Sequence, residues 1–508
     1  MAFGRLSSAE RLPGAERHEM NDLAIHLTDE NGKHLYEQIY EYIADEIREG
    51  KLLAGEKLPS TRSLADYLQV ARSTVELAYD QLASEGYIES VPYRGYYICR
   101  VEELYRIGTS GGGLRSEKKG AGQEDGQPGQ KDSRTARYFD IDFSPNAIDM
   151  NLFPFGTWRK ITRDILSGDR KELFALGEPR GDLELRRTVC RYLHASRGVN
   201  ASPEQIIVGA GNDYLLLLLQ YILGRGITAA FENPSYRRAF RIFSSFAARM
   251  VTVPSDENGI RVDGLLASRA NVAYVMPSRQ FPTGTVMPIG RRTELLRWAS
   301  SAEDRYLVED DYDSEFRYRG KPIPSLQSAD TAGRVIYIGT FSRGIAPAVR
   351  IGYLVLPPAL LGAFFSRFGF YSCTVGRIEQ QTLCRFLETG QYARHQARLR
   401  AAYRRKRDAV CAALLEALAP FSPRIENAHT GLHFVLRLAC PCTGKALAGA
   451  MRRHGVLACP LSAYFHTGRC SEAGPALVLG FGGLAQQDIR PAAQAMARAA
   501  EEACAQHD

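Results

Sequence analysis

Five short loops hold the residues best suited to chemistry. Gly209-Ala-Gly-Asn, Asn233-Pro-Ser-Tyr236, Arg279-Gln-Phe-Pro-Thr-Gly, Glu309-Asp-Asp-Tyr312 and Thr340-Phe-Ser-Arg-Gly each follow a short apolar run. A glycine-rich turn ahead of a helix offers backbone N–H groups to a phosphate, and Arg350 adds positive charge. The ring of Tyr236 can stack on a planar ligand, and the Asp310 carboxylate can hold a protonated ring nitrogen. Together these groups describe a pocket for a phosphorylated pyridine. Each loop taken alone also reads as a strand cap; five in the same relation to their strands favour the pocket. A second chemistry sits near the N-terminus, where Val70-Ala-Arg72-Ser73-Thr74 opens a helix. Such a helix start can meet DNA phosphates with N–H groups and present arginine to a guanine edge.

The elements that must position these groups follow from periodicity. Apolar runs at 206–209, 228–231, 272–276, 306–310 and 335–339 alternate with helical stretches, which predicts a mostly parallel sheet covered on both faces. Ligands of such sheets sit at the carboxyl ends of the strands, where the five loops fall. Nearer the N-terminus, Tyr36, Ile39, Ile43 and Ile47 recur at helical spacing, and residues 52–58 form a Gly/Pro-punctuated turn. A second helix, with Ser60 as N-cap, buries Leu64, Ala65 and Leu68. The third turns Val75, Ala78, Tyr79 and Leu82 inward and Arg72, Ser73 and Glu76 outward. Strands at 87–91 and 96–99, joined through Pro92-Tyr-Arg-Gly95, complete the layout of a winged helix-turn-helix. A protein-docking module of the same shape is the alternative.

The 508 residues are 45% hydrophobic and 24% charged, which excludes whole-chain disorder and fibrous classes. No run approaches the roughly 18 apolar residues of a membrane span, and the N-terminus lacks an apolar export signal, so a cytoplasmic protein is expected. Ten cysteines include no C-x-x-C pair, and Cys440-Pro-Cys442 lacks a second ligand pair, so reduced thiols and no metal are expected. The formal charge is +7, yet residues 33–100 hold 8 Lys/Arg against 11 Asp/Glu. DNA binding there must come from a patch on one face. The basic run Arg394 to Arg407 reads as a solvated helix face. Residues 108–137 are Gly, Ser, Gln and charge, too polar to offset ordering entropy, and predict a flexible linker. The expected domains are 33–101, a linker 102–138, and a large domain 139–506.

The string Leu52-Leu-Ala-Gly-Glu-Lys-Leu-Pro-Ser-Thr-Arg-Ser-Leu-Ala, with Val70-Ala-Arg-Ser-Thr-Val and Leu82-Ala-Ser-Glu-Gly-Tyr-Ile, resembles the GntR family of bacterial regulators. That resemblance implies DNA contacts from Arg62, Arg72, Ser73, Thr74, Arg94 and Gly95. Ala71 departs from it, since many relatives carry a phosphate-binding hydroxyl there. The large domain resembles fold-type I pyridoxal-phosphate aminotransferases, and specifically the MocR (GabR-like) subgroup of GntR regulators. The strings carrying this are Tyr312-Asp-Ser-Glu-Phe-Arg-Tyr-Arg-Gly-Lys-Pro-Ile-Pro, Gly339-Thr-Phe-Ser and Ala346-Pro-Ala-Val-Arg-Ile-Gly-Tyr. It implies Tyr236 on the cofactor ring, Asp310 at the pyridine nitrogen and Tyr312 at the ring hydroxyl. For the phosphate it implies Ala210, Gly211, Thr340, Ser342 and Arg350.

One departure changes the chemistry. The subgroup reads Gly-Thr-Phe-Ser-Lys, whereas this chain reads Gly-Thr-Phe-Ser-Arg343. A Schiff base needs a neutral amine, and a guanidinium stays protonated and delocalised. Arg343 therefore forms no internal aldimine, and the usual base for the α-proton is gone. Arg279 stands where relatives have His, Phe281 where enzymes have Asn, and 475–481 lacks an arginine for a substrate carboxylate. Two extra arginines suggest an anion site. The expectation is a dimeric regulator of double-stranded DNA that senses a small anionic effector, with pyridoxal phosphate noncovalent if bound. The alternatives are an aminotransferase with an accessory DNA-binding module, or a scaffold.

Overall fold

Apolar side chains at helical spacing build the first of two compact units, Met1–Gln130 and Lys131–Asp508. The computed structural model describes residues 34–84, 87–91, 94–99, 141–168, 170–246, 249–318, 323–468 and 474–505, with Ile25 and Leu27. The expected linker lies outside the described residues, as do Pro92 and Tyr93. In the first unit, helix α1 (Leu35–Arg48) buries Ile39, Ile43 and Ile47. Helix α2 (Thr61–Leu68) is capped by Ser60, whose Oγ accepts from the Ser63 N–H at 3.1 Å, satisfying a donor the helix itself leaves free. Helix α3 (Arg72–Ser84) buries Val75, Ala78, Tyr79 and Leu82 completely. The Tyr79 hydroxyl donates to the Pro59 carbonyl at 3.0 Å, tying α3 to the start of α2. Strands β1 (Ile88–Val91) and β2 (Gly95–Ile98) pair antiparallel, with Val91 opposite Gly95 at the tip. The unit is a winged helix-turn-helix.

The second unit is built on an eight-stranded sheet. Its order is Ile206–Gly209, Gly352–Val355, Val335–Thr340, Tyr306–Asp311, Val272–Val275, Thr228–Asn233, Arg249–Asp256 and Gly259–Ile260. The five strands from Val335–Thr340 to Arg249–Asp256 run parallel. Gly352–Val355, which the sequence reading did not identify as a strand, is antiparallel to both neighbours. Helices cover both faces. Leu215, Leu219 and Ile222 pack with Ile207, Val308 and Ile336 on one side. Leu185, Val189 and Leu193 pack with Val208, Tyr337 and Tyr353 on the other. Alternate residues of one strand thus face different helices, which is why these strands read as unbroken apolar runs. The architecture is the mostly parallel, fold-type I α/β domain expected.

A smaller antiparallel sheet follows, ordered Arg424–Glu426, His433–Arg437, Ala476–Gly480, Cys459–Pro460. Helices Gln391–Ala417, Gly444–Arg453 and Ile489–Ala505 share its core, where Leu399, Phe434, Leu447, Leu479 and Met496 meet. Two expectations need correction here. The basic run is not wholly solvated, because Lys406 is buried with its Nζ 2.8 Å from Asp149 Oδ2 and 3.1 Å from the Gly482 carbonyl. The cysteines are not all separate thiols either. Cys440 and Cys504 form a disulfide, with Cys442 Sγ 3.1 Å from Cys440 Sγ. Packing of helix Ile489–Ala505 against Gly444–Arg453 brings together sulfurs 64 residues apart. Among the described residues no helix is long and apolar enough to cross a membrane.

Candidate functional site

Three neighbouring strand ends and a helix start enclose a cavity of about 160 Å³. Asp310, Tyr312, Thr340, Ser342, Arg343 and Arg350 line it, with Tyr236 and Phe281 as aromatic walls. Asp310 is the penultimate residue of the strand Tyr306–Asp311 and is 3% exposed. Burial pushes its carboxyl up to about 6, against the pull of donors from the Tyr274 hydroxyl and Asn212. Asn212 Nδ2 lies 3.3 Å from Oδ2, and the Tyr274 hydroxyl donates to the same oxygen. At neutral pH this is a buried, mostly ionised carboxylate, a fitting partner for a protonated heterocyclic nitrogen. The buried Tyr312 hydroxyl has no hydrogen-bond partner among the described residues, and burial keeps it a neutral phenol. It is a free donor aimed at a ligand.

Tyr236 and Phe281 meet edge to face with centroids 5.7 Å apart. Phe281 also packs edge-on against Tyr312 at 6.1 Å, so an apolar wall stands where enzymes place Asn. Thr340 Oγ1 and Ser342 Oγ lie 3.0 Å apart, and the Ser342 N–H donates to Thr340 Oγ1 at 3.1 Å. Arg343 spans the mouth. Its Nη1 donates to the Pro145 carbonyl at 2.9 Å, its Nη2 to Asn146 Oδ1 at 2.7 Å, and its guanidinium lies 5.1 Å from the Tyr312 ring centroid. Arg343 is thus a cation held in place at the cavity.

The structure brings six of the eight residues implied for the cofactor to this cavity, Tyr236, Asp310, Tyr312, Thr340, Ser342 and Arg350, together with Arg343. Ala210 and Gly211 do not line it. The Ala210 N–H donates to Thr374 Oγ1 at 3.0 Å and the Gly211 N–H to the Gly209 carbonyl at 2.7 Å, so neither is free for a phosphate. The next helical residues, Asn212 and Asp213, line the cavity in their place. Arg279 is a second correction. It is 2% exposed, lies 3.6 Å from Asp313, and donates to Thr430 Oγ1 and to the Asn427 and His433 carbonyls. It is structural, and only one of the two extra arginines faces the cavity.

Sequence reasoning missed Asn146, Asn212, Asp213 and Arg238. Asp213 sits 3.6 Å from Arg350 and 3.2 Å from Arg238, a partly exposed pair of contacts that costs little to break. The positions of Asn212, directly after the glycine turn, and Arg238, two after Tyr236, were usable signals. Asn146 had none, because its contact to Arg343 is made across 197 residues.

In the first unit, Arg62 in the first turn of α2, Arg72 and Ser73 at the start of α3, and Arg94 at the wing are exposed. Thr74 and Gly95 are half-buried; Gly95 has φ +105° and so requires glycine. Arg72 Nε pairs with Glu76 at 2.8 Å, an exposed contact readily exchanged for DNA. Lys57, also missed, is exposed and pairs with Tyr97 in β2, adding a cation beside the wing of an otherwise acidic unit.

A family model for bacterial regulatory proteins of the gntR family matches residues 35–98, and one for aminotransferase class I and II matches residues 141–473. The chain is 37% identical over 456 residues to YdeL of Bacillus subtilis (strain 168), an uncharacterized HTH-type transcriptional regulator, covering 90% of this chain and 94% of that one. It is 31% identical to the probable rhizopine catabolism regulatory protein MocR of Rhizobium meliloti, covering 90% and 92%. Among solved structures it is similar to the multiple substrate aminotransferase of Thermococcus profundus, with 26% identity and a TM-score of 0.65 over 73% of this chain and 93% of that one. Fold and site define a class, a helix-turn-helix DNA-binding domain joined to an aminotransferase-like domain. The chain belongs to the gntR family of bacterial regulators, in the group that carries this aminotransferase class I and II domain. A gntR domain implies DNA binding, and the second fold is that of a pyridoxal-phosphate-binding family.

Gly211 gives a direct check on the glycine turn behind Arg350. It has φ +83°, and a Cβ there would stand 2.7 Å from Arg350 Cζ. Gly211→Ala is expected to cost about 1–2 kcal/mol from the left-handed backbone alone, read by urea denaturation. A change within about 0.5 kcal/mol, the usual range of neutral surface substitutions, would remove this conformation from the account.

Proposed function

We propose that this chain is a transcription regulator that reads double-stranded DNA with its N-terminal domain and binds a small anionic effector in the large one, without covalent attachment. The observation that carries the second half is Arg343, tied to Pro145 and Asn146 above Tyr312. In enzymes of this fold the bound pyridoxal phosphate acts as an electron sink and is held by a lysine amine. A guanidinium neither attacks an aldehyde nor serves as a base near neutral pH. The remaining groups fit the noncovalent half of such a ligand. Asp310 would hold the ring nitrogen, Tyr312 the ring hydroxyl, Tyr236 a face of the ring, and Thr340, Ser342 and Arg350 the phosphate. Arg343 adds a cation for a carboxylate or phosphate.

The domain limits of this reading are 33–101 for the DNA reader, 102–138 for the linker and 139–506 for the sensor, in a cytoplasmic homodimer. Arg62, Arg72, Ser73, Thr74, Arg94 and Gly95, with Lys57, form the proposed DNA surface.

Gel shifts on DNA upstream of the chain's own gene test the reader. Arg72→Ala is expected to lose about 1–3 kcal/mol of specific binding, and unchanged affinity would take Arg72 off the surface. For the sensor, calorimetric titration with pyridoxal phosphate has a defined pH signature. Since the Asp310 carboxyl is pushed up to about 6, its charge is present above that pH and lost as pH falls through it. Affinity should therefore drop between pH 7.5 and 5.5 more in the wild type than in Asp310→Asn. Equal pH profiles for the two proteins would contradict Asp310 as the partner of the ring nitrogen.

A further inference from the structure

Three cysteine sulfurs cluster away from the ligand cavity. Cys440 and Cys442 flank Pro441 just ahead of helix Gly444–Arg453, and Cys504 comes from the last turn of helix Ile489–Ala505. Cys440 and Cys442 are buried, Cys504 is half-buried, and all three sulfurs lie within 4.8 Å of one another. The disulfide accounts for two of them and leaves unexplained why a third, Cys442, stands 3.1 Å from Cys440. The surroundings are apolar: Leu438, Leu447, Ala500 and Ala503 belong to the same core. Burial pushes the Cys442 thiol up, so alone it stays protonated.

Three soft ligands converging in an apolar shell suit a thiophilic ion. Four-coordinate zinc with Zn–S near 2.3 Å sets its sulfurs about 3.8 Å apart, a spacing that small side-chain rotations reach from this cluster. The motif Cys440-Pro-Cys442 lacks a second ligand pair in sequence; the fold supplies a third thiol from Cys504, and a water completes the four-coordinate shell. We propose that, with Cys440 and Cys504 reduced, Cys440, Cys442 and Cys504 bind one d¹⁰ dication of the zinc class through three thiolates. Binding releases three protons to solvent and, as the six-coordinate aqua ion becomes four-coordinate and keeps one water, five waters. The disulfide and the metal exclude each other, because the bridge consumes two of the three thiolates.

The test uses the full-length chain, reduced with a phosphine under anaerobic conditions and titrated with Cd²⁺. A sulfur-to-metal charge-transfer absorption should rise to one equivalent per chain and be displaced by Zn²⁺. Cys442→Ser should weaken the titration at least tenfold, and Cys384→Ser, which alters another cysteine near Glu184 and Glu388, should leave it unchanged. Re-forming the disulfide with oxidised glutathione should abolish the band in the wild type, a readout that needs no variant to fold. Absence of the band in the reduced wild type, its survival after oxidation, or an identical titration in Cys442→Ser would each overturn the assignment.

Discussion

A guanidinium keeps its proton and its delocalised charge under any condition in which this fold is stable, and at Arg343 that property governs what the large domain can do. The position is at the end of the strand Val335–Thr340, where the sheet delivers its reactive groups. Here the side chain does not reach for a bound aldehyde. It ties the Ser144-Pro145-Asn146 segment to the ring of Tyr312 and places a permanent cation over the cavity. On the proposed reading the surrounding groups suit the noncovalent part of a cofactor, and Arg343 supplies no amine to attach it.

The rest of the site depends on ordinary sheet physics. Parallel strands buried on both faces end together, so Asp310, Tyr312, Thr340 and Ser342 converge although they come from two strands and their loops. Asp310 is ionised at some cost, which the Tyr274 hydroxyl and Asn212 partly offset. A ligand that brought a positive ring nitrogen would relieve the remainder. Phe281 works in the opposite sense, since the resemblance puts hydrocarbon there in place of the Asn of the enzymes. On the proposed reading both features serve recognition of a flat, anionic molecule. A winged helix-turn-helix on the same chain gives such recognition a use.

Much of this was legible in the residues themselves. The run Ile206–Gly209 has the bounds read from sequence, Ser60 caps α2, and the inward face of α3 is the one its periodicity marks. These are local matters, decided by spacing and by hydrogen bonds within a turn. Gly352–Val355 escaped because four residues inside a loop-like motif carry little period, and its pairing is set by neighbours on both sides. Arg279 was misjudged because its partners Asn427, Thr430 and His433 lie some 150 residues away and absorb its charge. The Lys406–Asp149 pair and the approach of Cys504 to Cys440 and Cys442 are likewise long-range products of packing. Ala210 and Gly211 differ for another reason: in the ligand-free chain their N–H groups meet Thr374 Oγ1 and the Gly209 carbonyl, and the residues lining the cavity begin at Asn212.

The claim that most of this rests on is the absence of a covalent link at position 343. The most direct measurement is the intact mass of the wild-type chain after incubation with pyridoxal phosphate, borohydride reduction and denaturation, followed by peptide mapping. The account predicts an unmodified cavity, with any trace adduct on scattered surface lysines. A stoichiometric adduct on a single residue lining the cavity would contradict it.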